Sequence, residues 1–225
     1  MPVAETASIE ITAYSWVPPF AQGLVKDLRV RWALEELELP YRSRRYNRAV
    51  SGPEDRLAEQ PFGQVPCLVE GDVHMFESGA ICLWLAERSE TLMPRDEAGR
   101  ARAMSWVFAA LNSIEPFVLS YQMATVYHAD KPGAADYAPA TEEGLRERLQ
   151  RLTDALGENE WLMGRFTVAD ILMVHVLAPL VRACLPSMPD TLTAYVARGQ
   201  ARPAYVRALA AQMADFTEIE PQQAA

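Results

Sequence analysis

Long apolar runs, clustered cysteines and extended basic tracts are all missing from this 225-residue chain. A transmembrane helix needs about 18 apolar residues in succession, so the sequence predicts no membrane span. The first ten residues, MPVAETASIE, are acidic and lack the apolar core of a signal peptide, which favours the cytoplasm. The formal net charge is −9, and this acidity argues against nucleic acid or anionic lipid as the main partner, because both require clustered Lys and Arg.

Metal-ligating and disulfide-forming residues are equally sparse. The chain has three cysteines and three histidines, at Cys67, Cys82, Cys184, His74, His128 and His175. Their spacing matches no zinc pattern and no disulfide framework. We therefore predict no metal site and interpret the cysteines as packed thiols in apolar surroundings.

The hydrophobic pattern divides the chain into a mixed first part and a helical second part. Alternation over residues 9–14 predicts a strand, and apolar residues at helical spacing over 21–38 predict a helix. Gly71-Asp72 lies between two short strand-like runs and predicts a hairpin. The first part is thus a small β-α-β-α-β-β-α domain. Further helices are predicted over 98–128, 141–156, 166–182, 191–201 and 203–215.

Two domains follow from this division. Residues 1–88 form the α/β domain, residues 98–225 form the all-helical domain, and the polar segment 89–97 links them. The central helix has the best-defined start, because Thr167 and Asp170 have the spacing of a capping box.

The stretch PFGQVPCLVEGDVHMFES, at residues 61–78, has the clearest functional pattern. Val65-Pro66 begins a strand, where an exposed backbone edge can pair with an extended peptide. Glu77-Ser78 begins a helix, whose N-terminus carries unpaired N–H groups and about half a positive charge. Together they suit a small peptide-like anion. From the residues alone, a loop-ending proline and a plain serine cap remain open as alternatives.

Four segments carry a resemblance to a known family. The Gln-Val-Pro of FGQVPCL followed by a hairpin and FES, the run RVRWALEELELPY, the run RFTVADILM and the run ARPAYVRALA occur in this order. In this combination the chain resembles the glutathione S-transferase superfamily. The resemblance implies a thioredoxin-like N-terminal domain, an all-α C-terminal domain and a homodimer.

The resemblance also implies which residues bind glutathione as co-substrate. Val65 pairs with the cysteinyl backbone through a cis bond to Pro66. Glu77 and Ser78 bind the γ-glutamyl end, and Gln64 reaches towards the glycyl end.

A thiol needs activation at neutral pH because its pKa is near 8.5 and only the thiolate is a good nucleophile. The superfamily commonly has a Ser, Tyr or Cys for this purpose just after the first strand, and Ser15 has that place here, which makes it the candidate catalytic residue. The sequence departs from relatives at this point, since SWVPPFAQGLVKDL lengthens the connection to the first helix. Either extra helical turns or a longer loop follows, and both leave open a different activating group.

The second substrate is expected to be a small apolar electrophile or a peroxide. Its candidate binding residues are Trp16, Phe20, Trp106, Asn112 and Tyr121. Two functions remain as hypotheses at this point. The first is a glutathione transferase, and the second is a non-catalytic glutathione-binding or regulatory protein on the same fold.

Overall fold

The computed structural model describes residues 3–47, 53–183, 185 and 188–217, so that Cys184 lies outside the described residues. The chain divides into two compact units. One comprises Met1–Ser89 with Ala201–Ala225, and the other comprises Glu90–Gln200. The predicted domain limits, 1–88 and 98–225, stay a prediction, and the grouping of residues 201–225 with the first unit differs from them.

A four-stranded mixed sheet forms the first unit's centre. Its strands are β1 (Ile9–Tyr14), β2 (Tyr41–Tyr46), β3 (Cys67–Glu70) and β4 (Val73–Phe76). The order is β2-β1-β3-β4, with β2 parallel and β3 antiparallel to β1. Glu10 on β1 accepts hydrogen bonds from both Arg42 and Arg44 on β2, so these arginines link the two strands.

Helix α1 (Asp27–Glu36) begins six residues later than the predicted start at Ala21. The intervening chain forms a 3-10 turn over Pro19–Ala21, and Gly23 has a φ of 75°, a left-handed conformation that ends regular helix. The longer connection after β1 is therefore a loop rather than extra helical turns. Leu24 belongs to this loop although its spacing to Leu28 fits a helix.

Two further helices complete the α/β pattern, α2 (Pro53–Leu57) and α3 (Ser78–Ala86). Helix α3 packs on α1 and directly follows β4. Its buried residues include Ile81, Cys82 and Leu85, an apolar face that explains this placement.

The last helix, α9 (Pro203–Asp215), also packs on α1. The indole of Trp32 meets the ring of Tyr205 edge-on at 5.0 Å between centroids. Arg31 donates to Asp27 at 2.7 Å and to Asp215, and all three side chains are largely shielded from solvent. The helical spacing of residues 203–215 predicts this helix correctly, but it does not reveal its partner.

The second unit is helical. Its helices are α4 (Glu97–Phe108), α5 (Glu115–Gln122), α6 (Ala134–Leu156), α7 (Val168–Arg182) and α8 (Asp190–Gln200). Among the described residues, no helix combines the length and apolar character required to cross a membrane.

The predicted single helix over 98–128 is interrupted. Residues Ala109–Ile114 and Met123–Tyr127 adopt π-helical geometry before and after α5. Pro116 falls in the first turn of α5, where its missing N–H removes no hydrogen bond of that turn. Trp106, Leu111 and Phe117 along this stretch are half-buried.

Helix α6 begins at Ala134, seven residues before the predicted start at Thr141. Pro139 lies inside it rather than in a loop, and the helix continues past it without the hydrogen bond that the proline nitrogen cannot donate. Helix α7 is central and almost fully buried. The predicted capping box of Thr167 and Asp170 is confirmed, and Asp170 also accepts hydrogen bonds from Leu162 N–H and the Tyr195 hydroxyl.

Candidate functional site

The β3–β4 hairpin brings the two predicted halves of the site to one place. In its antiparallel register, Cys67 lies opposite Phe76. Pro66 immediately precedes Cys67, and Glu77 immediately follows Phe76, so the proline and the start of α3 meet at the same end of the hairpin. The turn at the other end contains Gly71 at φ 59°, which a two-residue Gly-Asp connection requires.

The Val65-Pro66 peptide bond is cis, as the resemblance implies. Val65 and Pro66 are buried, whereas Gln64 is exposed. The loop before them is held by Gln60, whose side-chain oxygen accepts from the N–H groups of Phe62 and Gln64 at 2.5 and 3.2 Å. The Thr12 hydroxyl accepts from Cys67 N–H at 2.7 Å and fixes the start of β3 to β1.

Glu77 has an unusual backbone conformation, with φ 69° and ψ 112°. A non-glycine residue in the positive-φ region costs of order 1–3 kcal/mol, and such residues cluster at functional sites. Glu77 is the N-cap of α3 and is exposed, and Ser78 is the first residue of the helix. Ser78 is therefore not the helix cap, and the alternative of a plain serine cap is wrong, because the cap position is taken by Glu77.

The Ser78 hydroxyl instead contacts a buried arginine. Ser78 is 5% exposed and accepts a hydrogen bond of 3.2 Å from Nη1 of Arg29 on α1. Sequence reasoning missed Arg29, since 49 residues separate the pair and nothing local in RVRW indicates an inward-facing guanidinium.

Ser15 directly follows β1 and is 3% exposed. Its hydroxyl donates to the Tyr46 carbonyl at 2.9 Å, and its N–H donates to the same oxygen at 3.2 Å. A hydroxyl has one proton to donate. In this arrangement that proton is directed at the backbone of β2.

A small cavity of about 260 Å³ adjoins the same strand end. Tyr14, Trp16, Val17 and Arg56 line it. Arg56 belongs to α2 and donates to the Gly63 carbonyl at 3.2 Å. The cavity thus places a cation and two aromatic side chains beside the candidate catalytic residue.

The cysteines of the first unit are inert thiols rather than nucleophiles. Burial raises the pKa of Cys82 to about 12. Burial also raises the pKa of Cys67, although the Thr12 hydroxyl acts in the opposite direction. Neither is a thiolate at neutral pH. Among the described residues, no three His, Cys, Asp or Glu side chains group as metal ligands would.

The candidate residues for the second substrate belong to different units. Trp16 and Phe20 lie in the loop of the first unit, with Phe20 exposed in its 3-10 turn. Trp106 on α4 and Tyr121 on α5 are half-buried, and Asn112 is exposed in the first π-helical segment. Their common role stays a prediction.

An apolar cavity in the helical unit was not predicted from the sequence. It measures about 600 Å³ and is lined mainly by the end of α5, the second π-helical segment and the start of α6, including Leu119, Met123 and Tyr137. None of the five candidate second-substrate residues lines it.

Known proteins resemble the chain in sequence along much of its length. A family model described as the glutathione S-transferase N-terminal domain matches residues 28–88. Glutathione S-transferase GstA of Escherichia coli O157:H7 is 30% identical over 166 residues, which cover 71% of this chain and 79% of that protein. The chain belongs to the glutathione S-transferase superfamily.

Other glutathione S-transferases agree over shorter lengths. Glutathione S-transferase F14 of Arabidopsis thaliana is 30% identical over 164 residues, covering 65% of this chain, and the match spans only 63% of that relative. Among solved structures, a glutathione transferase family member from Pseudomonas fluorescens pf-5 with two glutathione bound has a TM-score of 0.77 at 23% identity. The match covers 92% of this chain and 94% of that one. The predicted fold, a thioredoxin-like sheet domain followed by helices, is confirmed.

Proposed function

We propose that this glutathione S-transferase family member binds glutathione and promotes attack of its thiolate on a small apolar electrophile. The cysteinyl S–H loses its proton, the sulfur forms a bond to the electrophilic carbon, and the leaving group departs with its bonding electrons. The observation that carries the proposal is the hairpin register, with Cys67 opposite Phe76, which unites Val65-Pro66 with Glu77-Ser78.

Each part of the tripeptide has a proposed partner at this end of the hairpin. The backbone of Val65 pairs with the cysteinyl residue. The Ser78 hydroxyl and the first N–H groups of α3 bind the γ-glutamyl carboxylate, where the helix dipole favours negative charge. The exposed Glu77 carboxylate pairs with the γ-glutamyl ammonium, and Gln64 binds the glycyl end.

Ser15 is the residue proposed to donate a hydrogen bond to the thiolate of bound glutathione. Its hydroxyl exchanges the Tyr46 carbonyl for the sulfur, because a hydrogen bond to a charged acceptor is about twice as strong as one to a neutral acceptor. The Tyr46 carbonyl keeps the bond from Ser15 N–H, so this exchange leaves no buried acceptor unpaired.

The electrophile is proposed to meet Trp16, Phe20, Trp106, Asn112 and Tyr121. A peroxide is the other acceptor class, in which case two glutathione thiols reduce the O–O bond and become a disulfide. We further propose a cytoplasmic homodimer. Light scattering after size exclusion measures the subunit number directly.

A non-catalytic glutathione-binding protein is the second candidate function. The observation in its favour is the hydroxyl of Ser15, which donates to Tyr46 beside a connection lengthened by the loop before α1. Retention on immobilised glutathione combined with no turnover across a broad panel of electrophiles and peroxides would select this candidate over the transferase.

The binding site itself is tested by Ser78→Ala. This substitution removes the proposed carboxylate donor, and we expect it to weaken glutathione binding by about 1–3 kcal/mol in titration calorimetry. Ser105→Ala is the matched control, because Ser105 is exposed and its hydroxyl bonds to Ala101 within α4. Equal affinities for wild type and Ser78→Ala would remove Ser78 from the site.

A further inference from the structure

The apolar cavity of the helical unit shares no residue with the proposed glutathione site. It measures about 600 Å³, and all the residues that line it lie between Pro116 and Tyr137, within the second unit. Cavities that hold small organic molecules have volumes of roughly 300–1,000 Å³ and mainly apolar linings. We call this space the α5–α6 cavity, because it lies where the chain passes from α5 to α6.

The backbone around the α5–α6 cavity is fixed by its own hydrogen bonds. The N–H of His128 donates to the Met123 carbonyl at 2.9 Å and closes the second π-helical segment. The N–H of Lys131 donates to the His128 carbonyl at 2.9 Å, and that of Ala134 donates to the Lys131 carbonyl at 3.1 Å. Single π-helical turns are frequent at functional sites. A wall that is already ordered also lowers the entropic cost of binding a ligand.

Large apolar side chains line the cavity without being covered. Leu119, Met123 and Tyr137 are 50%, 37% and 60% exposed. Contiguous exposed apolar surface on a folded protein marks a place where something binds. The thioether of Met123 favours contact with an aromatic ring, and the ring of Tyr137 favours edge-on or offset stacking. An aromatic occupant therefore suits this surface.

The polar groups of the cavity indicate a hydroxyl group rather than a charge on the occupant. Ser120 and His128 both line the cavity, and a serine hydroxyl and a neutral imidazole can each donate and accept a hydrogen bond. Lys131 lines it too, but its Nζ lies 3.3 Å from the carboxylate of Asp130, so the pair carries no net charge. The chain as a whole has a net charge of −9, which disfavours an anion.

We infer that the α5–α6 cavity binds an uncharged aromatic compound that carries a hydroxyl group. Its rings pack against Met123 and Tyr137, and its hydroxyl bonds to Ser120 and His128. None of the five residues proposed to meet the electrophile lines this cavity. The cavity is therefore a second site, and it does not depend on the proposed function.

The test titrates 2-naphthol into the whole chain by calorimetry, with and without saturating glutathione. Wild type should bind with a Kd of about 0.1 mM or tighter in both conditions, as the affinity per atom of a small ligand allows. Ala134→Leu puts a larger side chain into the cavity and should weaken binding about tenfold or more. Ala135→Leu is the matched control, because Ala135 is exposed in the same helical turn and does not line the cavity.

A second variant removes a contact instead of filling space. Tyr137→Ala should weaken 2-naphthol binding about threefold to tenfold, the range for losing an aromatic pair. Its folding is not at risk, because Tyr137 is 60% exposed. The hydroxyl is tested with 2-methoxynaphthalene, which has no proton to donate and should bind wild type about threefold to tenfold more weakly than 2-naphthol. The charge is tested with naphthalene-2-carboxylate, which should also bind more weakly.

Four results would overturn the inference. The first is the same Kd for 2-naphthol in wild type, Ala134→Leu and Tyr137→Ala. The second is loss of binding when glutathione saturates, which would assign the ligand to the glutathione site. The third is tighter binding of naphthalene-2-carboxylate than of 2-naphthol. The fourth is a changed subunit number in Ala134→Leu or Tyr137→Ala by light scattering, which would make this surface an interface between copies of the chain. Failure of wild type to bind glutathione would overturn the proposed function alone.

Discussion

Ser15 has one hydroxyl proton and two competing acceptors, the Tyr46 carbonyl and the sulfur of a bound thiol. The first is a neutral backbone oxygen that already accepts from Ser15 N–H. The second is an anion once the thiol ionises, and a hydrogen bond to a charged group contributes about 1.5–3 kcal/mol. A hydrogen bond to a neutral oxygen contributes only about 0.5–1.5 kcal/mol, so the Ser15 hydroxyl should bond to the thiolate sulfur whenever that sulfur lies within hydrogen-bonding distance.

The corresponding prediction concerns the acidity of the bound thiol. Ser15→Ala removes the donor and should raise the pKa of bound glutathione by about 1–2 units, since one unit corresponds to about 1.4 kcal/mol. Thiolate ultraviolet absorbance across a pH titration measures this pKa. Because less thiolate is then present at neutral pH, turnover there should fall about tenfold or more, with recovery towards alkaline pH.

Glutathione affinity should change less than about threefold in Ser15→Ala, because the proposed binding contacts lie at the hairpin end. Ser105→Ala serves as the control for an exposed hydroxyl. An unchanged thiol pKa in Ser15→Ala would assign activation to another group, with Tyr14 and Arg56 in the adjacent cavity as the next to replace.

The residues of the candidate site could be predicted only in part from the sequence. Val65-Pro66 and Glu77-Ser78 sit where strand and helix patterns break, so local spacing places them at element ends. Arg29 was not visible, because its contact with Ser78 depends on how α1 packs against α3. The hydrogen bond from Ser15 to Tyr46 was hidden for the same reason, since it depends on the pairing of β1 with β2.

At the scale of elements, the crossing of α7 and α8 depends on Gly199. A methyl group added there would lie 2.7 Å from Cγ2 and 3.0 Å from Cγ1 of Val174. Val174 is β-branched and buried on α7, so its side chain has little freedom to move away. Alanine is the better helix former by about 1 kcal/mol, but overpacking costs about 1–3 kcal/mol.

Gly199→Ala should therefore lower the free energy of unfolding, by about 1–2 kcal/mol in urea titrations followed by circular dichroism. Gly144→Ala on α6 is the matched control, because its added methyl lies 3.5 Å from the ring of Phe117, an ordinary contact. There only helix propensity changes, and stability should rise by up to about 1 kcal/mol. A higher free energy of unfolding for Gly199→Ala than for wild type would mean that α8 can shift away from α7 with little loss of packing energy.

Element boundaries show where spacing alone misleads. Leu24 and Leu28 have helical spacing, yet Gly23 at positive φ keeps Leu24 outside α1. Pro139 suggests a loop, yet α6 runs through it. In the first case the backbone conformation of one residue overrides the hydrophobic pattern, and in the second it does not. Helix α9, with Pro203 at its first position, has the predicted limits.

At the scale of the whole molecule, the last helix of the described residues packs on the first one. Helix α9 follows the helical unit in sequence but packs on α1 of the first unit. Gln212 donates to the Asp27 carboxylate at 2.7 Å, and Arg202 forms two hydrogen bonds with Glu36 at 2.6 and 2.8 Å. These contacts make residues far apart in sequence parts of one core.

This arrangement predicts that damage to α9 weakens the first unit rather than the second. Tyr205 is 6% exposed and packs edge-on against Trp32, so Tyr205→Ala should cost about 3 kcal/mol, as for other buried aromatics. Amide hydrogen exchange should then become about 100-fold faster in α1 and the sheet. Protection in α7 should change little, since the helices α4, α5 and α8 that pack on it belong to the second unit.

Tyr137→Ala is the control, because Tyr137 is 60% exposed and its removal should alter stability by no more than about 0.5 kcal/mol. Equal acceleration of exchange in α1 and α7 after Tyr205→Ala would mean that both units unfold together. In that case the packing of α9 on α1 would stabilise the chain as a single cooperative body. Faster amide exchange in α1 but not in α7 would instead show that α9 stabilises the unit that carries the proposed glutathione site.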